Sequence, residues 1–341
     1  MAAKTGLGSR STGSDNNSSI AGEKSADQTQ RSSWQRVLGL LLAVGAGVST
    51  ACASTMTKLM KDDLPPLEVV FYRGVMNATV LYSYLVVTGR ANLFKGIDAA
   101  TIGAVLIRSV FFVVAVTISF AVNQQIPLGD ASALMGTSTV MTGLLGIFIL
   151  NEKWHLPDML ISLLCWAGVL LISRPASLFG TTEGAVTGST DSNSVYYMLA
   201  LVAAVMTSLS FLFVRKIGKS IDVGRLVLFS ETVSMVVCFV ILQSGDDGLR
   251  LPSPNTWKYL PWLSLASMLV QILMTFALYI EKAATAVVCR TAGLVTASFV
   301  TQIFIFKNTP EMTSVIGALL ILLSTALLSF RKMRQEKVKQ L

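Results

Sequence analysis

Hydrophobic and polar positions along this chain fall into long blocks and not into a short alternation. Ten apolar segments follow one another. Each is about 17–24 residues long, which matches the roughly 30 Å hydrocarbon core of a bilayer at about 1.5 Å per helical residue. The pattern therefore predicts an all-α membrane protein with ten transmembrane helices. The predicted spans are residues 37–60, 67–87, 99–122, 130–150, 157–173, 195–214, 226–242, 257–280, 283–306 and 312–330.

Two polar stretches divide the chain around these spans. Residues 1–33 contain almost no apolar side chains, a composition typical of disorder. The only long internal loop, at about residues 174–194, is rich in Gly, Ser and Thr and separates five spans from five. The predicted parts are a disordered cytoplasmic tail (1–33), a first five-helix repeat (34–175), a non-cytoplasmic linker (176–194), a second five-helix repeat (195–330) and a basic cytoplasmic tail (331–341).

The composition and the charge distribution agree with a membrane protein. Only 13% of the residues are charged and 52% are hydrophobic, whereas soluble proteins carry about 25% charged residues. If the N-terminus is cytoplasmic, 18 lysines and arginines lie on the cytoplasmic side and 6 on the opposite side. The positive-inside rule then predicts that both termini are cytoplasmic. The net charge of +8 is an orientation signal, so we expect no nucleic-acid partner.

The chain has few residues that could support enzymatic or metal chemistry. Cys52, Cys165, Cys238 and Cys289 lie in separate apolar segments, and the single histidine, His155, lies in a loop. This pattern disfavours zinc sites and disulfide frameworks. The sequence also lacks paired deep aspartates, an HExxH motif and a Walker motif. We therefore predict that the protein is not an enzyme and has no metal site and no cofactor.

The two halves of the chain resemble each other. The segment that begins at Ile126 aligns with the segment that begins at Glu281, and the segment from Val69 aligns with the segment from Val227. Because five spans are an odd number, the second repeat enters the membrane inverted relative to the first. Inverted repeats are typical of secondary transporters, whose substrate site lies near the midplane between the repeats.

Four charged residues lie inside predicted spans: Arg73, Arg108, Glu231 and Arg290. A charge at a helix centre costs about 2.5–3.5 kcal/mol on insertion scales, so such residues form pairs or bind something. Depths counted from the segment ends put Glu231 level with Arg290, which predicts an intramembrane charge pair between these two. Three positive charges against one negative charge favour an organic anion as the substrate, because guanidinium binds carboxylate and phosphate with two hydrogen bonds.

Polar side chains recur at helical spacing on the second, third and eighth spans and could line a cavity. The alternative is that they form ordinary hydrogen bonds between helices, worth about 0.6 kcal/mol each. Arg73 could also extend its side chain to the membrane surface. The predicted substrate-binding residues are Arg73, Arg108, Ser119, Asn123, Gln271, Thr275 and Tyr279.

The stretch from Phe120 to Pro175 carries a family resemblance through the sequences IPLGDA, ILNEK and GVLLISRP. The chain resembles the drug/metabolite transporter superfamily with its paired EamA modules, and most closely the G-type branch of the solute carrier 35 group. Arg73 and Arg108 match arginines of the family. The family often has a proline in the first half of helix 4, where this chain has Thr139. The resemblance implies two five-helix halves around a central cavity lined by helix 3.

These observations together predict a secondary transporter that moves a small organic solute by alternating access. An organic anion, such as a carboxylate, a phosphorylated metabolite or a nucleotide sugar, is the expected substrate. Export of amines, drug-like molecules or amino acids on the same fold stays open as an alternative. A receptor or scaffold that transports nothing is the second alternative.

The expected surroundings of the protein are a lipid bilayer, with a homodimer as an open possibility. Lys337 and Lys339 near the C-terminus resemble a dilysine retrieval signal, which a coat protein reads. Positive-inside bias explains the same lysines equally well. The expected location is therefore the early secretory membranes (endoplasmic reticulum or Golgi) or the plasma membrane.

Overall fold

The computed structural model describes residues 13–89, 97–126, 131, 134–150, 156–173, 190–244 and 249–304, with scattered positions between 312 and 331. The described residues form helices and turns and no strand. The helices are α1 (Gly13–Leu59), α2 (Pro66–Val87), α3 (Ala99–Gln125), α4 (Ser138–Leu150), α5 (Leu156–Ser173), α6 (Thr190–Ile217), α7 (Val223–Ser244), α8 (Thr256–Ile280) and α9 (Ala283–Phe304).

Several helices have the length and the composition of membrane spans. Within the described part of the chain, five helical stretches are long and apolar enough to cross a membrane. Large apolar side chains such as Leu41, Phe148 and Trp262 point outward and are exposed, as a lipid-facing surface requires. The five stretches are Val37–Leu59, Ala99–Gln125, Val195–Ile217, Val223–Ser244 and Thr256–Ile280.

The ends of the chain and the central linker lie largely outside the described residues. Of the last predicted span, 312–330, only single positions are described, and these are helical. Lys337 and Lys339 lie outside the described residues, as do residues 174–189 in and beside the predicted linker. Because α6 begins at Thr190, the last residues of that linker are helical.

The first helix begins earlier than the composition predicts. Helix α1 runs from Gly13 to Leu59, and its apolar part begins at Val37. Residues 13–33 are therefore helical where disorder is predicted, and residues 1–12 lie outside the described part. Extending an existing helix costs far less than nucleating a new one, so a stable apolar helix can continue into a polar stretch.

The fourth predicted span contains a break. Residues 134–136 are helical, a turn follows at Thr137, and α4 begins at Ser138. The backbone N–H of Thr137 donates to the carbonyl oxygen of Leu134 at 3.1 Å, and its hydroxyl donates to the same oxygen at 2.6 Å. A hydroxyl that bonds back to the preceding turn competes with the regular helical pattern. The helix is thus interrupted two residues before Thr139, without a proline.

The helices of the two halves pack against each other in matched pairs. Helix α1 packs on α8 and α9, and its counterpart α6 packs on α3 and α4. Helix α3 packs on α7, as α8 packs on α2, and the counterparts α2 and α7 pack on each other. Each of these contacts between the halves has an equivalent contact in which the counterpart helices take part. The two repeats therefore interlock around a shared centre.

Helices α1 and α9 cross in direct backbone contact. A Cβ atom at Gly47 would lie 2.0 Å from the carbonyl oxygen of Arg290, and one at Gly293 would lie 2.2 Å from the carbonyl oxygen of Val44. Only glycine fits at such distances, as is usual where membrane helices approach closely. This crossing fixes the height of Arg290 against α1.

Apolar side chains close the bundle toward both ends. One buried cluster, which includes Leu212, Leu226 and Met274, contains residues of six helices. These helices are α1, α3, α6, α7, α8 and α9. A second cluster, which includes Leu64 and Phe120, joins the opposite ends of α1, α2, α3 and α8. Between these two clusters the described helices leave a cavity whose wall is mostly apolar and carries polar and charged side chains.

Candidate functional site

The cavity lies between helices of both halves and contains about 960 Å³ of empty space, open solvent at its mouth included. The part of this space that a water-sized sphere can enter is much smaller, about 130 Å³. Its apolar wall includes Phe112, Phe120, Phe211 and Met274. Its polar wall consists of Thr50, Ser54, Arg73, Arg108, Ser119, Asn123, Ser138, Thr207, Ser210, Ser267, Gln271, Thr275 and Arg290.

The structure brings most of the predicted binding residues together around this cavity. The ones that line it are Arg73, Arg108, Ser119, Asn123, Gln271 and Thr275. Tyr279 is not among the lining residues, and its hydroxyl donates to the carbonyl oxygen of Ile221 at 3.3 Å. Steps of four residues drift around a helix that has 3.6 residues per turn. Leu278, seven residues after Gln271, therefore faces the cavity in place of Tyr279.

Glu231 forms its salt bridge with Arg73 and not with Arg290, which corrects the predicted pair. The distances are 3.0 Å from Arg73 Nη2 to Glu231 Oε2 and 3.1 Å from Arg73 Nη1 to Glu231 Oε1. Asn77 Nδ2 at 3.0 Å and Gln271 Nε2 at 2.5 Å also donate to Oε1. Both charged side chains are almost fully buried, at 1% and 0% exposure. The close ion pair, its one hydrogen bond and the extra donors to Oε1 are the kind of surroundings in which a buried pair is tolerated.

The predicted depths of Arg73 and Glu231 do not describe the contact that α2 and α7 make. A Cβ at Gly74 would lie 3.4 Å from Met235 Cβ and 3.5 Å from the carbonyl oxygen of Glu231. The antiparallel crossing of the two helices therefore brings Arg73 within one turn of Glu231. Counting residues from the end of each apolar segment does not tell where two helices cross, and it therefore missed this pair.

Arg290 lies on the cavity wall without an acidic partner among the described residues. Its Nη2 donates to Thr50 Oγ1 at 3.3 Å, and its guanidinium lies 5.4 Å from the centre of the Phe211 ring. Its Nε is buried and makes no hydrogen bond. A guanidinium on an aromatic face gains a modest cation–π stabilisation, but its charge stays uncompensated.

Arg108 is also held by neutral groups. Its Nη1 donates to the hydroxyl of Ser230, its Nη2 donates to Gln271 Oε1 at 3.1 Å, and its Nε has no partner. The guanidinium lies 5.3 Å from the Phe112 ring centre, and the residue is 2% exposed. Within the described residues, no carboxylate lies within ion-pair distance of Arg108. Glu231 thus forms its ion pair with Arg73, and Arg108 and Arg290 give the cavity two guanidinium groups without an ion-pair partner among the described residues.

The sequence argument missed the contributions of α1 and α6. Thr50 and Ser54 on α1 face the cavity, as do Thr207, Ser210 and Phe211 on α6. These small hydroxyls look like packing residues in a sequence of this composition. Their spacing of three or four residues was the available signal, because it places them on one face of each helix.

Hydrogen bonds connect the loop between α1 and α2 with the loop before α8, and we call this connection, formed by Asp63, Ser253 and Thr256, the loop strap. The backbone N–H of Ser253 donates to Asp63 Oδ2 at 3.0 Å, and the hydroxyl of Thr256 donates to the same oxygen. These hydrogen bonds lower the pKa of the Asp63 carboxyl below its usual value of 3.8. Close by, Tyr72 Oη donates to the carbonyl oxygen of Arg250 at 2.7 Å. The loop before α8 is thereby tied to the loop between α1 and α2.

Within the part of the chain that the structure describes, no group of three or more His, Cys, Asp or Glu residues comes together. Cys52, Cys165, Cys238 and Cys289 form no disulfide with one another.

Comparison with known proteins agrees with the architecture and with the predicted resemblance. The EamA-like transporter family matches twice, at residues 37–174 and 194–330. Solute carrier family 35 member G1 of Mus musculus is 28% identical over 302 residues, which cover 87% of this chain and 80% of that protein. The protein of the same name from Homo sapiens is 28% identical over 299 residues, with the same coverage. The predicted likeness to the G-type branch of the solute carrier 35 group is confirmed.

More distant relatives share the same fold. The pseudopaline exporter CntI of Pseudomonas aeruginosa (strain UCBPP-PA14) is 24% identical over 294 residues, which cover 86% of this chain and 96% of that protein. A solved crystal structure matches with a TM-score of 0.67 over 89% of this chain and 99% of the other, at 15% identity, and shows the fold alone. With two family modules over most of its length, this integral multi-pass membrane protein belongs to the EamA-like transporter family.

Proposed function

We propose that this protein is a secondary carrier that moves a small organic anion across a membrane by alternating access. Its ten spans form two inverted five-helix halves, and the cavity between them is the substrate site. The proposal rests on two guanidinium groups that line the cavity and have no ion-pair partner among the described residues, those of Arg108 and Arg290. The protein acts as a carrier and not as an enzyme.

The electrostatics of the cavity favour an anion over an amine. A guanidinium keeps its charge at every physiological pH and offers a planar fork that fits carboxylate and phosphate oxygens. An amine would instead meet two positive charges, neither of which has an ion-pair partner among the described residues. Phe112, Val116 and Met274 supply apolar wall for the carbon skeleton of the substrate. Carboxylates, phosphorylated metabolites and nucleotide sugars all satisfy this combination.

The relatives support a small solute as cargo. Two of them are named solute carriers and a third is named an exporter of pseudopaline. The turn at Thr137 and the close glycine crossing of α1 and α9 mark places where one half could move against the other. A receptor or scaffold on this fold would bind the same ligand without moving it, so a transport measurement separates these functions.

The orientation that we propose places both termini in the cytoplasm, following the excess of basic residues on that side. The membrane is an early secretory membrane or the plasma membrane, and the protein is a monomer or a homodimer. Tags at either terminus should resist protease added outside sealed vesicles or intact cells. A tag inserted at residues 180–193 should be cut. If the terminal tags were cut and the tag in the linker were protected, the orientation would be the opposite of the one proposed.

The test of the function is counterflow in proteoliposomes. The panel contains dicarboxylates, phosphorylated metabolites and nucleotide sugars, with cationic amines for comparison. At least one anion should exchange, and Arg108→Gln should weaken its binding by about 10–150-fold, since a charge-assisted hydrogen-bond pair is lost. The matched control is Lys216→Gln, which removes a positive charge from an exposed position beside Phe213, outside the cavity. Movement of amines alone, or full anion transport by Arg108→Gln, would refute the proposal.

A further inference from the structure

The side-chain amide of Gln271 lies between a carboxylate and a guanidinium. Its Nε2 donates to Glu231 Oε1 at 2.5 Å, and its Oε1 accepts from Arg108 Nη2 at 3.1 Å. A carboxylate only accepts hydrogen bonds and a guanidinium only donates them. The two partners therefore fix which end of the amide faces which group.

This arrangement gives Arg108 a hydrogen-bond partner that carries no charge. A glutamate has the same length as a glutamine and would reach the same guanidinium, but it would neutralise Arg108. The neutral amide also stands between Arg108 and Glu231, whose own charge is taken by Arg73. Arg108 is thus anchored in place while its charge stays available.

We propose that Gln271 is a specificity-determining residue that reserves the charge of Arg108 for an anionic group of the substrate. The inference rests on the proposed function, in which Arg108 binds that group. Gln271 lines the cavity and is only 5% exposed, so its amide oxygen lies where a substrate oxygen would approach Arg108. In the ligand-free site this oxygen accepts a hydrogen bond from Nη2 of Arg108. An anionic oxygen of the substrate is a stronger acceptor than the neutral amide oxygen and can displace it.

Asn77 provides a matched comparison in the same network. Its Nδ2 also donates to Glu231 Oε1, at 3.0 Å, so both amides share one carboxylate oxygen. Its Oδ1, however, accepts from the hydroxyl of Ser264 at 2.5 Å and not from an arginine. Asn77 is not among the residues that line the cavity. Asn77→Asp therefore adds an acid beside Glu231 without giving Arg108 a partner.

The experiment measures binding of defined probes to the purified full-length protein. Succinate, glycerol 3-phosphate and UDP-glucose represent the three anion classes, and succinamate, the half-amide of succinate, represents reduced charge. Gln271→Glu should weaken every probe that binds the parent by at least about tenfold, because the charge-assisted hydrogen bonds of Arg108 are lost. The preference for succinate over succinamate should shrink as well. Asn77→Asp should keep both the affinity and the preference.

A neutral variant makes the test independent of how well the acidic one folds. Gln271→Met keeps the length of the side chain and leaves Arg108 charged, so anion preference should persist even if affinity changes a few-fold. Loss of anion preference in Gln271→Met, unchanged affinity in Gln271→Glu, or equal losses in Gln271→Glu and Asn77→Asp would each overturn the role of Gln271. These results leave the proposed function standing. If no probe binds the parent, the proposed function fails first and this inference fails with it.

Discussion

Arg73 and Glu231 occupy equivalent positions in the two halves of the chain, and they form a salt bridge with each other. Both residues lie four positions after the aligned valines, Val69 and Val227. An inverted repeat moves equivalent residues to opposite leaflets unless they lie on the pseudo-two-fold axis, where they meet. The 3.0 Å contact between Arg73 Nη2 and Glu231 Oε2 therefore marks that axis.

This position explains why one member of the pair is acidic. A strictly symmetric pair at the axis would place two like charges in contact inside the membrane. An arginine opposite a glutamate is complementary and closes the contact between α2 and α7. The same pair leaves Arg108 and Arg290 as the charges that the cavity offers to a ligand.

The first prediction concerns this pair. Either Arg73→Gln or Glu231→Gln leaves one buried charge without its partner, which should cost about 3–5 kcal/mol. The double variant should recover much of that loss, because no unpaired charge remains. The measurement is a double-mutant cycle of thermal stability in detergent. In the parallel cycle of Glu231 with Arg290 the two separate effects on stability, whatever their sign, should add. Additive effects in the Arg73 cycle would contradict the pairing.

The second prediction concerns the crossing of α1 and α9. Gly293→Ala places a Cβ about 2.2 Å from the carbonyl oxygen of Val44, a contact that backbone atoms cannot relieve cheaply. Overpacking of this kind costs about 1–3 kcal/mol or more. We expect a lower melting temperature and a loss of transport, because Arg290 moves with its helix. The control is Gly103→Ala on α3, where no atom lies within 4 Å of the added Cβ and stability should hold or rise. Normal behaviour of Gly293→Ala would mean that the helices are not in backbone contact.

The third prediction uses the loop strap at Asp63. The folded protein lowers the pKa of this carboxyl below 3.8, its usual value. The ionised carboxylate therefore stabilises the strap at neutral pH, and the stabilisation is lost as the pH falls through the folded pKa. The melting temperature of Asp63→Asn should lie below that of the parent at pH 7, and the difference should shrink in acid. A difference that stays constant down to acidic pH would show that the carboxylate does not act through its charge.

The sequence predicted several helices closely, because burial in a bilayer depends on long apolar runs, while the count of ten spans stays a prediction. The predicted boundaries of the second, third and eighth spans fall within a few residues of α2, α3 and α8. The break at Thr137 and the helical stretch before Val37 were not foreseen, because hydropathy is blind to local hydrogen bonding and to helix propagation.

The site was predictable in its residue types but not in its pairing. Helical spacing predicted that Arg108, Gln271 and Thr275 line a cavity, and in the structure all three line the same cavity. The partner of Glu231 depends on how far α2 slides along α7, and no single-chain pattern encodes that register. Had the repeat alignment been read as a map of the symmetry axis, it would have indicated Arg73.

The last prediction separates a structural arginine from a ligand-binding one. Arg290 contacts a hydroxyl and an aromatic ring and has no acidic partner among the described residues. Its buried charge therefore lowers the stability of the ligand-free protein. An intramembrane charge costs about 2.5–3.5 kcal/mol or more. Arg290→Gln should therefore raise the melting temperature of the ligand-free protein, whereas Arg73→Gln should lower it. Stability would be gained at the expense of function, as is common at binding sites.

The same variants should differ in their response to ligand. The parent should be stabilised by an anion that counterflow identifies as a substrate, since binding favours only the folded state. Arg290→Gln should lose most of this shift, and Arg290→Lys should lose part of it, because lysine keeps the charge but not the planar fork. Thermal unfolding with and without the anion measures both effects in one experiment. If Arg290→Gln destabilised the empty protein and kept the full ligand shift, Arg290 would be a packing residue, and Arg108 alone would carry the anion site.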